Sequence, residues 1–294
     1  MDRAVYAIVL NWNGRGVIGP CLASLMRISD PSLEIIVVDN ASSDDSAEIV
    51  RRDAPEAELI VNDRNLLFAE GNNVGIRRAI ERGGSLFLLL NNDTEVDPAF
   101  VARMLEALER DPAAGIVGPK IVYDDDPKRI WYGGGGFFPF VWIPKHENIR
   151  KIDGSFPERG GETLWVSGCA MLVKREVLDA VGLLDPSYRI YCEDVDFCLR
   201  ARRAGWKCLY EPRALVRHKV SFSSGGGMTP FKLENRIAST FRLYRRFKPL
   251  WWRILMAPAQ GALFALLAVG LLLGGRFGLL RGAMRGAARL ARGA

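Results

Sequence analysis

Cysteine and histidine are scarce in this sequence. Its 294 residues include 5 cysteines and 2 histidines. The odd number of cysteines and the lack of closely spaced pairs argue against a disulfide framework and against a zinc site. We therefore expect the cysteines to be reduced and mostly buried as small residues. They are Cys21, Cys169, Cys192, Cys198 and Cys208.

Acidic residues are absent from the C-terminal end. Residues 235–294 contain 11 Lys and Arg and no Asp or Glu, whereas residues 1–234 contain 29 Lys and Arg and all 34 Asp and Glu. The net charge is therefore +11 for the tail and −5 for the body. The body is long enough to bury a large core as one domain. We expect the chain to divide after residue 234, with no nucleic acid partner needed to explain the basic tail.

A secretory signal is also lacking at the start of the sequence. The first apolar run, Ala4 to Leu10, is the length of a strand and ends in Asn11-Trp12-Asn13. We therefore expect no signal peptide and a body that stays in the cytosol.

The tail contains a long uncharged run, Ile254 to Gly275, of 22 residues. This length suffices for one helix to cross about 30 Å of hydrocarbon. Basic residues flank both ends, however, and such flanks tend to stay cytoplasmic. Pro258 and Gly261 near the start of the run, and glycines toward its end, favour a re-entrant or in-plane helical hairpin. A single membrane span is the alternative. The late glycines are Gly270, Gly274 and Gly275.

The last segment has the pattern of a basic amphipathic helix. At 100° per residue, four arginines fall on one side and leucines and alanines on the other, which suits an anionic lipid surface. The alternative is a helix packed on its own domain, which is disfavoured because no acidic residue in the tail pairs with it. The arginines are Arg281, Arg285, Arg289 and Arg292.

Alternating apolar runs and amphipathic segments begin the body. The runs predict buried parallel strands and the segments predict helices, which together give a doubly wound α/β sheet. Ligands of such sheets bind beyond the carboxyl ends of the strands. The predicted strands are Ala4–Leu10, Glu34–Val38, Leu59–Val61 and Ser85–Leu90, and the predicted helices lie around residues 17–28, 44–52 and 71–82.

The second part of the body is less regular. After a run from Gly115 to Val122 come the glycines 133–136 and an aromatic stretch, 137–142. That stretch indicates either a flexible insertion on the acceptor side or a glycine-rich hairpin with core aromatics. Later segments predict a strand at 163–173, a helix from Asp194 that ends at Gly205, and short strands at 207–210 and 215–218.

Two acidic sites about a hundred residues apart indicate one active centre. Asn91-Asn92-Asp93 directly follows a predicted strand, and Glu193-Asp194-Val195-Asp196 opens a predicted helix. A carboxylate at the first site suits a divalent metal that bridges phosphates. A second, unmetallated carboxylate is then free to act as a general base. Acids in the first turn of a helix also complement its dipole, so Glu193 and Asp196 have a structural alternative.

A glycine motif after the first strand resembles a dinucleotide fingerprint. Gly14-Arg15-Gly16-Val17-Ile18-Gly19 opens a predicted helix, and Asp39 ends the second strand. In the true motif the strand runs almost directly into the first glycine, whereas here three residues, 11–13, intervene. A dehydrogenase would also have no use for the two carboxylate sites. We interpret these glycines as serving the turn and helix packing.

Several motifs in one order carry a family resemblance over residues 4–245. The sequence resembles family 2 glycosyltransferases of the GT-A fold, in particular the bacterial rhamnosyltransferase-like branch that builds surface polysaccharides. The motifs are Ile8-Val9-Leu10-Asn11-Trp12-Asn13, Val37-Val38-Asp39-Asn40-Ala41-Ser42-Ser43-Asp44, residues 65–73, Leu90-Asn91-Asn92-Asp93, Val166-Ser167-Gly168-Cys169-Ala170-Met171 and Glu193-Asp194-Val195-Asp196. The resemblance implies a Rossmann-like nucleotide-binding half (1–120), an acceptor half (121–234) and a membrane-associated helical tail (235–294).

The resemblance assigns roles to individual residues. It implies that Asp194 is the catalytic base and that Asp93 binds Mg²⁺ or Mn²⁺, with His218 as a late metal or diphosphate ligand. Asn91 replaces the first aspartate of the family's metal motif, and Leu67 stands where the family usually has glycine. Asp39 has the alternative of capping the next helix, and the loop asparagines have that of turn formation. The donor-site residues it implies are Asn11, Asp39, Asn65, Asn72, Asn73, Asn92, Gly168 and Glu193.

The resemblance thus implies a metal-dependent inverting glycosyltransferase. Its donor would be a nucleotide-diphosphate sugar and its acceptor a glycan or a polyprenyl-linked sugar. We expect it to act at the cytoplasmic face of the bacterial inner membrane, bound to an anionic surface. A nucleotidyltransferase of similar fold and a non-catalytic nucleotide-sugar binder are the alternatives.

Overall fold

The computed structural model describes residues 4–29, 32–220 and 227–291. The chain forms two compact units. The first, here the sheet unit, comprises Met1–Gly136, His146–Pro186 and Asp194–Gly226. The second, here the tail unit, comprises Phe137–Lys145, Ser187–Glu193 and Gly227–Ala294.

The sheet unit begins with the predicted doubly wound pattern. Its first strand pairs in parallel with the second and the fourth, and the second pairs in parallel with the third. These strands are near-continuous apolar runs because helices cover both faces of the sheet. The strands are β1 (Val5–Asn11), β2 (Leu33–Asp39), β3 (Glu58–Val61) and β4 (Leu86–Asn91). The helices between them are α1 (Ile18–Met26), α2 (Ser46–Asp53) and α3 (Leu67–Glu81).

A close approach seats α3 on the sheet. A Cβ atom at Gly75 would lie 2.4 Å from the Ile8 side chain, so only glycine lets the helix pack this near to β1. The helix begins at Leu67, four residues before the predicted start.

The second part of the sheet unit makes the sheet mixed. The strand order is β10-β12-β6-β11-β4-β1-β2-β3, with β5 beside β12 and β7 beside β6. Strand β11 runs antiparallel between β4 and β6, and β12 runs parallel to β6. The remaining strands of the chain are β5 (Thr94–Val96), β6 (Ala114–Tyr123), β7 (Ile130–Tyr132), β8 (Gly135–Phe137), β9 (Pro144–His146), β10 (Gly161–Thr163), β11 (Ala170–Lys174) and β12 (Lys207–His218). The helices are α4 (Phe100–Arg110), α5 (Arg175–Val181) and α6 (Glu193–Arg203).

Two predicted strand boundaries are wrong here. The strand expected at 163–173 is two strands, β10 and β11, separated by an irregular segment. The two strands expected at 207–210 and 215–218 are one strand, β12, with a register shift between Glu211 and Leu215. Pro212 lies in that shift, where a residue without an N–H interrupts no ladder bond. The predicted end of α6 is confirmed, because Gly205 has a φ of +93°.

The aromatic stretch forms a hairpin. Strands β8 and β9 form a separate two-stranded sheet, in agreement with the glycine-rich hairpin alternative. Its aromatics are not all core residues, since Phe138 and Phe140 are 51% and 77% exposed.

The tail unit contains three helices, α7 (Pro230–Phe247), α8 (Leu250–Leu273) and α9 (Phe277–Ala291). Helix α8 is continuous through Pro258, so the predicted bend at Pro258 and Gly261 is wrong. The chain turns instead at Gly274 and Gly275, the second with a φ of +64°. By length and composition α8 can cross a membrane, with a mean hydropathy of 2.0 and 6% of its apolar window buried.

Helix α9 packs on α7, as the alternative to a free basic helix required. A Cβ at Gly282 would lie 2.4 Å from the Pro230 carbonyl oxygen, and one at Gly286 would lie 2.6 Å from that of Glu234. Glu234, just outside the predicted tail, pairs with Arg285 at 3.0 Å and Arg289 at 3.8 Å. No acid within the tail was available to pair with these arginines, and the partner is the acid just before it, so the reason given for disfavouring a packed helix is wrong. Arg292 lies outside the described residues.

Candidate active site

The predicted site residues of the sheet unit gather at one rim. Strands β1, β2 and β4 are parallel, so Asn11 and Asp39, which end β1 and β2, and Asn92, which follows β4, lie at the same edge. The turn before β11 joins this edge, because the N–H of Asn91 donates to the Cys169 carbonyl at 2.9 Å. Strand β12 ends there at His218, whose partner in β5 is Thr94. The topology thus brings together residues more than 200 positions apart.

A buried polar network connects the first strands. Asn11 Nδ2 donates to Asp39 Oδ1 at 2.7 Å, and Asn92 Nδ2 donates to Asn11 Oδ1 at 2.7 Å. Asp39 also accepts from the N–H and hydroxyl of Ser42 at 2.9 and 2.6 Å. All three strand-end side chains are at most 4% exposed. Asp39 therefore orders the loop after β2 and fixes the orientation of Asn11. It does not cap the next helix, because α2 begins at Ser46 and its N-cap residue is Asp45.

Asn40, for which the sequence predicted no role, orders the loop between β3 and α3. Its amide donates to the Leu67 carbonyl at 3.1 Å and accepts from Asn62 Nδ2 at 2.8 Å. The position of Asn40 directly after Asp39 was the available signal. Asn65 closes the same loop, because its side-chain oxygen accepts from the Leu67 N–H at 2.8 Å. This is the turn-forming role that the sequence left open.

Leu67 has a left-handed backbone conformation. Its φ is +64°, a left-handed value that costs a residue with a Cβ about 1–2 kcal/mol. Glycine, which the family usually has here, adopts this conformation without that cost. Other left-handed residues near the site residues in sequence are Asn13, Ala41, Tyr191 and Cys192.

Two asparagines of α3 are engaged by protein groups. Asn73 Nδ2 donates to the Leu184 carbonyl at 2.9 Å, and its oxygen accepts from the Leu184 N–H at 3.1 Å. Asn72 donates to the Phe68 carbonyl at 2.9 Å. Asn73 thus holds the segment after α5, a contact across 111 positions that no local pattern indicates.

Asp93 and His218 form a buried pair. His218 Nε2 lies 3.1 Å from Asp93 Oδ1, and both side chains are about 5% exposed. The ring of Trp131 meets His218 edge-on at 4.6 Å between centroids, which fixes the imidazole plane. Burial lowers the pKa of His218, but the Cys169 sulfur and the Asp93 carboxylate raise it to about 10. Trp131 was not identified from the sequence, where nothing distinguishes it from other aromatics of the hairpin region.

The pair has the features of an incomplete metal site. Although the two side chains are close, Asp93 Oδ1 and His218 Nδ1 are buried without a hydrogen-bond partner in the described part of the chain. Within residues 4–29, 32–220 and 227–291, no group of three His, Cys, Asp or Glu could hold a metal. Magnesium is commonly bound by one or two carboxylates together with substrate phosphates, so a two-residue set fits this chemistry.

The other histidine is structural. His146 Nδ1 lies 2.9 Å from the Trp131 carbonyl oxygen, and its ring packs between Trp131 and Trp165. It therefore supports the residue that orients His218.

Asp194 is held by backbone donors at the start of α6. Its Oδ2 accepts from the Gly168 N–H at 2.9 Å and its Oδ1 from the Val195 N–H at 2.8 Å. Burial raises the pKa of Asp194, and these two donors oppose the rise. A Cβ at Gly168 would lie 3.0 Å from the Phe68 ring and 3.3 Å from Asp194 Cβ, so glycine gives the carboxylate its place. A positioned carboxylate of raised pKa suits a general base.

The two acids beside Asp194 differ from it. Asp196 is fully buried and accepts from Arg200 at 2.8 Å, and Arg200 also donates to the Leu183 carbonyl at 2.8 Å. Asp196 therefore has a structural role through its ion pair with Arg200, which differs from the helix-dipole alternative. Glu193 belongs to the tail unit, where it is buried.

A cavity of about 600 Å³ in the sheet unit lies away from these residues. Charged groups that pair with one another line it, among them Arg110, Glu211 and Arg213. None of the predicted site residues is part of its wall.

Solved structures share the fold of this chain. A mannosyltransferase from Pyrobaculum calidifontis in complex with GDP-Man and Mn²⁺ superposes with a TM-score of 0.60 at 18% identity, covering 99% of this chain and 79% of that chain. GalNAc-T7 with UDP, GalNAc and Mn²⁺ gives a TM-score of 0.62 at 16% identity, covering 80% of this chain and 47% of that chain. The predicted GT-A fold with a mixed sheet is confirmed.

Curated relatives extend the comparison. An N-acetylglucosaminyl-diphospho-decaprenol L-rhamnosyltransferase of Mycobacterium tuberculosis is 28% identical over 271 residues, covering 84% of this chain and 85% of the relative. The dTDP-rhamnosyl transferase RfbF of Shigella flexneri is 24% identical, covering 70% of this chain and 65% of the relative. The family model described as Glycosyl transferase family 2 matches residues 6–182, more than half of the sequence. The chain therefore belongs to glycosyltransferase family 2, as its motifs predicted.

Proposed function

We propose that this glycosyltransferase is metal-dependent and transfers a sugar, with inversion, from a nucleotide-diphosphate donor to a polyprenyl-linked or glycan acceptor. The observation that carries the proposal is the anchored carboxylate of Asp194 at the same rim as the Asp93–His218 pair. The names of the two relatives make dTDP-rhamnose the first donor to test and a polyprenyl diphosphate N-acetylglucosamine the first acceptor. Membership of the family favours sugar transfer over nucleotidyl transfer and over binding alone.

The reaction at this site consists of one proton transfer and the exchange of one bond for another. Asp194 accepts the proton of the acceptor hydroxyl while the oxygen of that hydroxyl attacks the anomeric carbon of the donor. The bond from that carbon to the diphosphate oxygen breaks, and the nucleoside diphosphate leaves. Attack from the face opposite the leaving group inverts the configuration.

The polar rim would bind the donor. Asn11 and Asp39 would meet the base or ribose, and Asn65, Asn73, Asn92 and Gly168 would line or support the pocket. The donor half would be residues 1–120 and the acceptor half 121–234. Asp93 and His218 would hold Mg²⁺ or Mn²⁺ with the donor phosphates, and the bound ion would neutralise charge on the leaving diphosphate.

The tail, residues 235–294, would place the enzyme at the cytoplasmic face of the bacterial inner membrane, beside anionic lipids and a polyprenyl acceptor. An apolar helix with little of its surface buried supports membrane association. The relative that acts on a decaprenol-linked sugar supports the choice of acceptor.

The test of the catalytic role is Asp194→Asn with Asp196→Asn as its matched control. We expect Asp194→Asn to lower turnover by about 10² to 10⁴ with donor affinity unchanged, because a general base is lost. In the wild type, turnover should fall as the pH drops through the raised pKa of Asp194, because the protonated base cannot accept a proton. The variant should lack that acid limb.

Asp196→Asn should behave differently. It removes the partner of a largely buried Arg200 and should lower the melting temperature while the folded enzyme keeps its turnover. If Asp194→Asn retained turnover within about threefold, far short of general-base loss, Asp194 would not be the base.

A further inference from the structure

Helix α8 runs back along α7. The rings of Trp252 and Tyr244 lie 4.9 Å apart near the turn between the two helices. Farther along, Phe264 and Leu271 of α8 pack in one cluster with residues of both α7 and α9, which are Leu233, Ile237, Leu279, Leu280 and Ala283. Contacts thus extend from Trp252 to Leu271, a length of about 28 Å at 1.5 Å per residue.

The hairpin of residues 137–145 secures the first part of α8. Gln260 Nε2 donates to the Val141 carbonyl at 3.4 Å. The ammonium of Lys248 lies 4.2 Å from the Trp142 ring and 4.8 Å from the Trp252 ring. Trp142 in turn stacks on Phe137 at 4.3 Å. The first part of α8 therefore has a polar and an aromatic attachment within its own unit.

These contacts oppose a transmembrane path for α8. A helix that crossed the hydrocarbon with these contacts intact would take α7 with it. Helix α7 carries charged residues along its length, including Lys232, Glu234, Arg236, Arg242 and Arg245. Charged side chains at that depth are strongly disfavoured.

The outward side of α8 is apolar. At 100° per residue, most of its exposed large apolar residues lie within about 60° of Trp251. This stripe, here the outer face, contains no charge, and Leu266 and Leu273 on it are 71% and 83% exposed. Its members are Trp251, Ile254, Leu255, Leu266, Val269, Leu272 and Leu273.

Charge and aromatic residues identify the occupant of the outer face. Lys248 precedes α8 and Arg276 follows it, so basic groups stand at both ends of an uncharged surface. The tryptophans at its start are residues that favour the membrane–water interface. Basic residues and tryptophans at the ends of an apolar surface favour an anionic bilayer as its occupant, and the charged α7 that contacts α8 favours a position in the bilayer surface over a crossing.

We propose that α8 lies in the plane of the cytoplasmic bilayer surface, with its outer face in lipid, and does not cross the membrane. The exposed Phe138 and Phe140 of the hairpin enter the same surface. This inference rests on the proposed site of action at the membrane and is independent of the sugar-transfer chemistry. It makes the protein monotopic, so that both ends of α8 stay on one side.

Cysteine labelling in cells distinguishes this arrangement from a span. The five native cysteines are buried, so the wild-type chain gives the background. Ala288→Cys adds a thiol at an exposed position of α9, and Glu56→Cys adds one at an exposed position of the sheet unit. A membrane-impermeant maleimide should label both variants in inside-out vesicles and neither in intact spheroplasts. Labelling of Ala288→Cys only from the spheroplast side would show a span and overturn the proposal.

A charge on the outer face tests the occupant. Leu266→Asp should lower the ratio of membrane-bound to soluble protein by about tenfold or more, whereas Met26→Asp, at an exposed apolar residue of the sheet unit, should leave it unchanged. If a second copy covers the outer face, Leu266→Asp would instead convert a soluble dimer to a monomer with no change in membrane binding, which overturns the proposal. Neither readout uses activity. A chain with the expected labelling but no sugar transfer would contradict the proposed function alone.

Discussion

At the scale of single residues, the buried Asp93 and His218 make a prediction about metal. Asp93→Ala removes the one carboxylate of the pair and should abolish the metal-dependent part of donor binding, because hard divalent cations require oxygen ligands. His218→Ala should weaken it less. Titration calorimetry with dTDP, with and without Mn²⁺, measures the difference.

The control for this pair is Asp63→Ala, since Asp63 is exposed in the loop after β3. It should bind nucleotide and metal as the wild type does. Equal nucleotide affinity of the wild-type chain with and without Mn²⁺ or Mg²⁺ would count against the assigned metal site.

The left-handed backbone of Leu67 predicts that glycine is more stable than alanine at this position, the reverse of their usual order in helices. Alanine ordinarily exceeds glycine by about 1 kcal/mol in helices. At Leu67 both substitutions remove the same side chain, but only glycine relieves about 1–2 kcal/mol of backbone strain. Leu67→Gly should therefore be more stable than Leu67→Ala, as measured by chemical denaturation.

Arg77, exposed within α3, provides the matched comparison. There Arg77→Ala should be the more stable of the two, since alanine and glycine remove the same ion pair with Glu70. Alanine more stable than glycine at both positions would show that Leu67 is not strained.

The strand-end residues were predictable, and their partners were not. Asn11, Asp39 and Asp93 follow apolar runs that define where parallel strands end, and the order of those strands fixes a common rim. Asn73 with Leu184, and Trp131 with His218, meet across long stretches of sequence. Such contacts depend on the packed fold and leave no periodic signal.

At the scale of elements, continuous apolar strands were located to within one or two residues. The prediction of one strand at 163–173 is wrong because Trp165 and Val166 are buried in irregular backbone. Their burial gave the sequence a strand-like pattern without strand geometry. The bend predicted at Pro258 in the tail is wrong for another reason. A proline near the N-terminal part of a long, exposed helix removes one hydrogen bond, and here the helix continues past it.

Helix α9 divides its arginines between two roles. Arg285 and Arg289 pair with Glu234, whereas Arg281 is exposed on the same helix. Arg276→Gln with Arg281→Gln should weaken binding to anionic vesicles by up to about 30-fold at low salt, at about 1 kcal/mol for each charge. Co-sedimentation in low and high salt measures this change.

The paired arginines serve as the comparison. Arg285→Gln with Arg289→Gln should weaken vesicle binding less and lower the free energy of unfolding by about 1 kcal/mol or less, because the pairs are partly exposed. An equal loss of vesicle binding in both double variants would mean that the contact with Glu234 does not compete with lipid.

At the scale of the whole molecule, the chain consists of two compact units. Of the eight predicted catalytic, donor and metal residues outside α3 and its preceding loop, all but Glu193 belong to the sheet unit: Asn11, Asp39, Asn92, Asp93, Gly168, Asp194 and His218. Ligand binding stabilises the unit that binds it. With Mn²⁺ and a nucleoside diphosphate at 100 times its Kd, the sheet unit should gain about 2.7 kcal/mol.

Calorimetry in detergent tests this division. Two unfolding transitions are expected, and Mn²⁺ with dTDP, UDP or GDP should move only one of them. Anionic lipid should move the other. A single transition that shifts with both ligands would mean that the two units unfold as one.

The network of Asn11, Asp39 and Asn92 has a direction. A carboxylate only accepts hydrogen bonds, so Asp39 makes Asn11 present its NH₂ group on one side and its oxygen on the other. That oxygen takes a proton donor from Asn92 and thereby sets which way the second amide faces. The negative charge of Asp39 therefore orients the Asn11 amide directly and the Asn92 amide through Asn11. With an amide in place of Asp39, both orientations of the Asn11 side chain would become equally possible. The rim would lose its fixed order of donors and acceptors, although the volume of its side chains would not change.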